Sequence, residues 1–310
     1  MGTVTINIVW PLFGIMVAGY LAGRFRLLNE GSSANLGRFV FAIAMPALIF
    51  ISLTQVPIGE FFDWPFLGAL GGGMLIIFGL SMLVARFAFP DSLTSLGIHS
   101  LSAMYSSTAY VGLPLILFIF GDAALAPGII GAVITGALFM PIGIILAEVD
   151  KGRGRRSIII TPLLGVIRNP VLIATVAGLT VSTFGIALPQ PIIAFCEILG
   201  GAFIPCALFS AGLFMVDCSV KGDVTEIGWL VFTKLILHPL VTWWLAYHVF
   251  ELEGILPAIA VLQAALPSGV PVFILAQHYN TFIARSSAVI AVSTALSVFT
   301  LSGLLILLEL

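Results

Sequence analysis

Two stretches of the sequence set small, hydroxyl-bearing and helix-breaking residues inside long apolar runs, and their chemistry is that of a binding site. The first reads Tyr105-Ser-Ser-Thr-Ala-Tyr-Val-Gly-Leu-Pro114 and the second Gln263-Ala-Ala-Leu-Pro-Ser-Gly-Val-Pro271. Proline removes a backbone donor and clashes with the preceding turn, and glycine lowers helix propensity, so both runs are predicted to break near their centres. Half-helices beginning near Pro114 and Pro271 aim N–H groups and positive dipole ends at the break, which suits an anion. Half-helices ending near Ala109 and Leu266 present carbonyl oxygens, which suit a cation or a proton-carrying donor. The candidate binding set is therefore Ser106, Ser107, Tyr110, Gly112 and Pro114, facing Gln263, Pro267, Ser268, Gly269 and Pro271.

Three ionisable residues join this set. Glu197, Lys234 and His238 fall well inside apolar runs, where a charge is expensive and marks function by default. His238 lies one turn beyond Lys234 on the same helix face, and Glu197 is placed to pair with either or to titrate. The competing structural roles are snorkelling of Lys234 to the inner interface and a plain hydrogen bond for Glu197. His99, His248 and His278 sit at the ends of runs and are expected at the interface, as is Arg168 beside Asn169-Pro170. No metal site or other cofactor is expected, because Cys196, Cys206 and Cys218 lack paired spacing and read as packing residues.

The elements that must position these residues follow from composition. The chain has 310 residues, 60% hydrophobic and 8% charged, against about 25% charged in ordinary soluble domains, so its solvent is the lipid bilayer. A span needs about 20 apolar residues, and the runs at 4–23, 36–54, 64–89, 94–120, 123–148, 163–184, 190–216, 227–249, 254–279 and 285–308 give ten. The apolar runs are continuous instead of alternating, which argues against a β-barrel. No soluble catalytic domain fits beside ten spans. A net charge of −2 offers nothing to nucleic acid. HExxH, GxGD and Asp-rich diphosphate motifs are missing, which leaves an intramembrane enzyme as a remote alternative.

Charge orients the chain. Arg24, Arg26, Arg38, Arg86, Lys151, Arg153, Arg155, Arg156, Lys221 and Arg285 fall in odd-numbered connections, and even-numbered ones carry only acids such as Glu60, Asp63, Asp122, Glu251 and Glu253. Lys and Arg accumulate on the cytoplasmic side, so both termini are expected outside. The first basic residue is Arg24, after the first apolar run, so a cleaved signal is not expected.

The basic run at 151–156 also divides an internal repeat. Val17-Ala18-Gly19 recurs as Val176-Ala177-Gly178, Pro46 and Phe50 recur as Pro205 and Phe209, and Gly112-Leu113-Pro114 recurs as Gly269-Val270-Pro271. Residues 1–150 are read as one five-helix repeat, 151–162 as a cytoplasmic connection and 163–310 as the second repeat. Five spans is an odd number, so the second copy crosses in the opposite sense, a construction typical of secondary transporters, whose broken helices hold the substrate. The fold class is all-α membrane protein, with ten helices in two inverted repeats and broken helices 4 and 9.

The sequence resembles the auxin efflux carrier family. The resemblance rests on Asn169-Pro170 followed by Ala174 and Gly178-Leu179, on Gly112-Leu-Pro114 followed by Gly121, and on Pro267-Ser-Gly-Val-Pro-Val-Phe-Ile-Leu-Ala276 followed by Tyr279. It covers the whole chain, without the long cytoplasmic loop of many plant members. It implies a fold similar to bile-acid sodium symporters, with spans 1, 2, 6 and 7 as scaffold and 3–5 with 8–10 as a transport domain whose fourth and ninth helices cross at the substrate. It further implies a bacterial inner-membrane permease, forming a homodimer, for a small organic anion such as malonate, malate or an auxin-like carboxylate. The expected coupling ion is H+ ahead of Na+, because the crossing stretches hold hydroxyls and carbonyls but no acid; a sodium symporter is the alternative. Ser107 stands where the family often has asparagine, which removes an amide from the implied site.

Overall fold

The computed structural model describes residues 2–29, 31–152, 154–218 and 222–308, and Arg153 and Lys221 lie outside them. The described residues are almost entirely helical. In chain order the helices are α1 (Gly2–Arg24), α2 (Ser32–Leu53), α3 (Trp64–Ala88) and α4 (Leu93–Met104). α5 is a π-helical turn, Thr108–Gly112, running into Leu113–Phe120, and α6 runs from Gly121 to Asp150. Then come α7 (Arg155–Ile167), α8 (Pro170–Thr183), α9 (Gln190–Gly201), α10 (Phe203–Asp217), α11 (Val224–Val249), α12 (Leu256–Ala265), α13 (Val270–Tyr279) and α14 (Ile283–Leu307).

Among the described residues, six helical stretches are long and apolar enough to cross a membrane, and a seventh is the α7–α8 pair, which bends by 54° before Pro170. One of the six, Thr108–Asp150, has 43 residues. At about 1.5 Å per residue that is roughly twice a bilayer core, and Gly121 turns it at φ 63°, ψ −152°, a conformation only glycine adopts freely. α5 and the first part of α6 accordingly pack on each other. Side chains such as Phe87, Ile198 and Phe299 are three-quarters or more exposed on the outer surface, which fits a lipid-facing exterior and no soluble one.

Proline explains the helix irregularities. Four of the π-helical segments, Val40–Ala44, Thr108–Gly112, Ile134–Phe139 and Thr233–Leu237, end two residues before Pro46, Pro114, Pro141 and Pro239. A proline cannot donate to the preceding turn and its ring presses on that turn's carbonyl, so the turn widens instead of ending the helix. Pro114 therefore does not start the second half-helix as expected. The break in that run lies earlier, at Tyr105–Ser107, where the chain leaves helical geometry to pair with another segment. In the other run the break spans Leu266–Gly269.

Helices α1, α2, α8, α9 and α10 pack mainly on one another, and α3–α6 with α11–α14 form a second group. Within the first group, α1 lies on α10 and α8 lies on α2. A Cβ added at Gly19 would stand 2.2 Å from the Phe209 carbonyl oxygen, and one at Gly178 would stand 2.8 Å from that of Phe50. Gly19 and Gly178 are separated by 159 residues, as are Phe50 and Phe209. Small residues let membrane helices approach backbone to backbone, and here α1 does so on α10 and α8 on α2.

Candidate functional site

The two breaks meet in the middle of the second group. Ser107 N–H donates to the Pro267 carbonyl at 2.9 Å, and Gly269 N–H donates to the Tyr105 carbonyl at 2.9 Å. This reciprocal pair is an antiparallel bridge between Ser106 and Ser268. It satisfies backbone groups that the broken helices leave open, as irregular backbone at membrane depth requires. Close approach depends on Gly269, where a Cβ would lie 2.8 Å from the Tyr105 ring; one at Gly112 would lie 2.3 Å from Leu266 Cδ1, the far end of a side chain.

Beside the bridge is a small cavity between the two helix groups. Tyr105–Tyr110, Ala132 and Pro271 line it from one group, and Phe41, Met45, Asn169 and Val171 from the other. Its volume of about 30 Å³ has room for a water or two and none for a dicarboxylate, so the groups stand closed on each other. Tyr110 holds them together by donating its hydroxyl to the Gly37 carbonyl at 3.1 Å. The N-terminal turn of α5 lies against this cavity, so its positive dipole end faces the space.

Lys234 and His238 stand directly behind the bridge. Lys234 Nζ donates to the Ala264 carbonyl at 2.6 Å and to Ser106 Oγ at 2.9 Å, and lies 3.3 Å from His238 Nδ1. Both side chains are fully buried. Snorkelling of Lys234 to the interface is thereby excluded. Its position in the widened turn before Pro239 carries the amine towards the end of α12, where last-turn carbonyls have no helical partner.

Other sequence expectations land elsewhere. Gln263 faces α6, donating Nε2–H to the Pro127 carbonyl at 2.9 Å, with its side-chain oxygen filling the space a Cβ would need at Gly131; it does not line the cavity. Pro267 contributes only its carbonyl, and Ser268 N–H donates to Ser293 Oγ at 3.1 Å. Pro114 is buried in the first turn of α5 after the widened segment. Glu197 is exposed on the outer face of α9 and pairs with neither Lys234 nor His238, because that face of the helix points out of the bundle.

His99 is buried, with Nδ1 2.9 Å from Glu226 Oε1. Arg285 bridges Glu226 at 3.1 Å and Asp91 at 2.7 Å, clamping the ends of α4, α11 and α14. Burial pushes the Asp91 carboxyl up, but the Arg285 guanidinium and the Ser92 N–H together outweigh it and hold it below the usual range. At the far ends of α6 and α13, Tyr279 Oη donates to Glu148 at 2.7 Å and Ser157 of α7 donates to its other oxygen at 2.5 Å.

Phe41, Met45, Ala132, Asn169 and Val171 line the cavity and are not singled out as binding residues by sequence reasoning. Asn169 Oδ1 accepts from Val171 N–H at 2.9 Å and so caps α8. Its position before a proline inside a long apolar region is the available signal, since a polar cap there has to face a cavity or a polar partner.

Known proteins resemble the chain along nearly its whole length. It matches a family described as "Membrane transport protein" over residues 4–305. It is 29% identical to a protein of Rhizobium meliloti (strain 1021) described as "Putative malonate transporter", covering 98% of this chain and 95% of the relative. It is 25% identical to the uncharacterized transporter YfdV of Escherichia coli (strain K12), over 94% of each. Auxin efflux carrier component 8 of Arabidopsis thaliana is 24% identical, over 87% of this chain and 88% of that one.

Proposed function

The chain belongs to this membrane transport protein family, that of the auxin efflux carriers, and from that premise we propose that it carries a small organic anion by alternating access at the crossing of the two broken helices. It is a multi-pass membrane transporter and not an enzyme. The substrate class is a dicarboxylate such as malonate or malate, or an auxin-like carboxylate, in keeping with the names of the relatives. The observation that carries the reading is the reciprocal Ser107–Pro267 and Gly269–Tyr105 pairing beside a cavity shared by two helix groups. Interrupted helices that meet at a cavity present helix N-termini to an anion.

On this reading the chain crosses the membrane ten times, as two inverted five-helix repeats with basic connections inside. The exchanged contacts of Gly19 on Phe209 and Gly178 on Phe50 support the repeat. The group α3–α6 with α11–α14 then moves as a transport domain against α1, α2 and α8–α10. Each movement breaks the Tyr110–Gly37 contact and opens the cavity to one side. The driving force is a proton gradient or the membrane potential, ahead of sodium.

The test is uptake and counterflow of labelled malonate, malate and indole acetate in proteoliposomes, with and without sodium and a pH gradient. Flux of at least one acid is expected; no flux of any acid under any gradient overturns the reading. A second expectation concerns the outward-facing carboxylate. Glu197→Gln should leave both flux and its pH profile unchanged to within about twofold, as for surface substitutions remote from a site. A displaced pH profile would return Glu197 to the coupling groups.

A further inference from the structure

The three acceptors around the Lys234 amine are a carbonyl at a helix C-terminus, a hydroxyl in a helix break and an imidazole nitrogen. We propose that this is a cation site whose permanent occupant is the Lys234 ammonium, a tethered cation that takes the place of a mobile coupling sodium and supplies the positive charge for the substrate's carboxylate. The inference rests on the organic-anion reading and names the charge that the reading lacks.

Stoichiometry supports it. An ammonium has three N–H donors, and Lys234 Nζ has three acceptors: the Ala264 oxygen at 2.6 Å, Ser106 Oγ at 2.9 Å and His238 Nδ1 at 3.3 Å. The carbonyl belongs to the last turn of α12, where the negative end of the helix dipole favours a cation. Free carbonyls and half-helix C-termini are the groups with which broken helices coordinate Na+, and here an amine fills that position. With Nδ1 accepting from the ammonium, His238 carries its proton on Nε2, a nitrogen buried without a partner among the described residues, so the imidazole serves the amine at a cost.

What the amine lacks is an anion. No carboxylate lies within ion-pairing distance of it among the described residues, and a buried ammonium without a counter-charge is unfavourable. Ser106 connects it to the cavity. The Ser106 hydroxyl accepts from Nζ, which leaves its own proton free to donate, and Ser106 lines the space beside the bridge. A carboxylate bound there takes the hydroxyl hydrogen bond and becomes the counter-ion of the ammonium behind it.

The experiment is malonate counterflow in proteoliposomes buffered with sodium, with N-methylglucamine, or with N-methylglucamine plus propylammonium, which restores the atoms that Lys234→Ala removes. Wild-type flux is expected to be the same with and without sodium. Lys234→Ala is expected to lose about 100-fold in N-methylglucamine, the scale of an unpaired buried charge, and to recover at least about tenfold with propylammonium. Ser106→Ala, which keeps the amine and two acceptors, is expected to lose about tenfold, the scale of one charge-assisted hydrogen bond. Strict sodium dependence of the wild type, full flux of Lys234→Ala without a small cation, or full flux of Ser106→Ala overturns the proposal. Thermal unfolding of purified protein gives a readout that needs no transport: propylammonium should raise the melting temperature of Lys234→Ala and not of the wild type, and no rise overturns the proposal. If the wild type moves no organic anion, the functional reading fails while this melting test still decides whether the site binds an ammonium.

Discussion

Gly19→Leu is expected to destabilise the protein by about 3 kcal/mol or more, at the upper end of what overpacking a tight contact costs. The reason is that nothing at this contact can give way by turning a side chain. A Cβ at Gly19 meets the Phe209 carbonyl oxygen at 2.2 Å, its carbon at 3.0 Å and its Cα at 3.1 Å, all backbone of α10. The facing glycine of the same pair, Gly212, has equally little room, its Cβ falling 1.9 Å from the Met16 carbonyl oxygen. Leucine therefore forces α1 and α10 apart along their length and forfeits the dispersion contacts that hold membrane helices together, where no hydrophobic gain from water is available. Gly178→Leu, at the symmetric contact of α8 on α2, should be milder, since its Cβ stands 2.8 Å from the Phe50 oxygen. Gly14→Leu, on α1 with open space around it, serves as the control. The measurement is thermal unfolding in detergent at one scan rate. Loss of several degrees for Gly19→Leu, less for Gly178→Leu and none for Gly14→Leu is expected; equal melting of all four proteins would show that α1 and α10 are not held by this close contact.

The same glycines show what the sequence makes legible. Gly19 and Gly178 stand out because Val-Ala-Gly recurs at a spacing of 159 residues, and a glycine inside an apolar helix signals a close approach. Which helix approaches does not follow, and the crossed contacts of Gly19 on Phe209 and Gly178 on Phe50 appear only in the packing. The breaks are legible because proline, glycine and serine are chemically unlike their apolar surroundings. Their position is less so: Pro114 widens its turn into a π-helical segment, and the chain breaks at Tyr105–Ser107, where a partner backbone offers hydrogen bonds. Gln263 and Glu197 point away from the cavity and from Lys234, and their direction is illegible in the sequence for a common reason. A helix apolar all round its circumference has no polar stripe to set against an apolar one, so the direction of one polar side chain is undetermined until neighbours are known. Phe41 and Met45 carry no chemical signature at all, although they form the wall opposite Ser107. Lys234 and His238 are conspicuous as polar residues one turn apart in an apolar run; that Ser106 Oγ and the Ala264 carbonyl, from two other segments, meet the amine is not legible.

Gly269→Val is expected to abolish transport while leaving the protein inserted and folded. The backbone at Gly269, φ −86° and ψ 141°, is open to any residue, so the requirement is for space alone. A Cβ there stands 2.8 and 3.0 Å from the Tyr105 ring and 3.3 Å from the Ser106 carbonyl oxygen. The ring is buried, and a valine's two further methyls cannot be housed without separating the two breaks. Separation costs both members of the reciprocal pair, Ser107 N–H to Pro267 and Gly269 N–H to Tyr105. Each buried group left unsatisfied is worth about 1–3 kcal/mol, and the pair sets the distance from Ser106 to Lys234 on one side and to the cavity on the other. A shift of about 1 Å in such a site costs on the order of 100-fold in rate. Gly112→Ala provides the contrast, because its Cβ meets only the terminal methyl of Leu266 at 2.3 Å, a side chain that can rotate away, and flux within about threefold of wild type is expected for a loss confined to packing. Counterflow and melting temperature should be measured on the same preparations. Wild-type flux in Gly269→Val would show that the crossing need not be held closed for transport. Equal losses in both variants would show that bulk anywhere near the crossing is what matters, and not the hydrogen-bonded bridge.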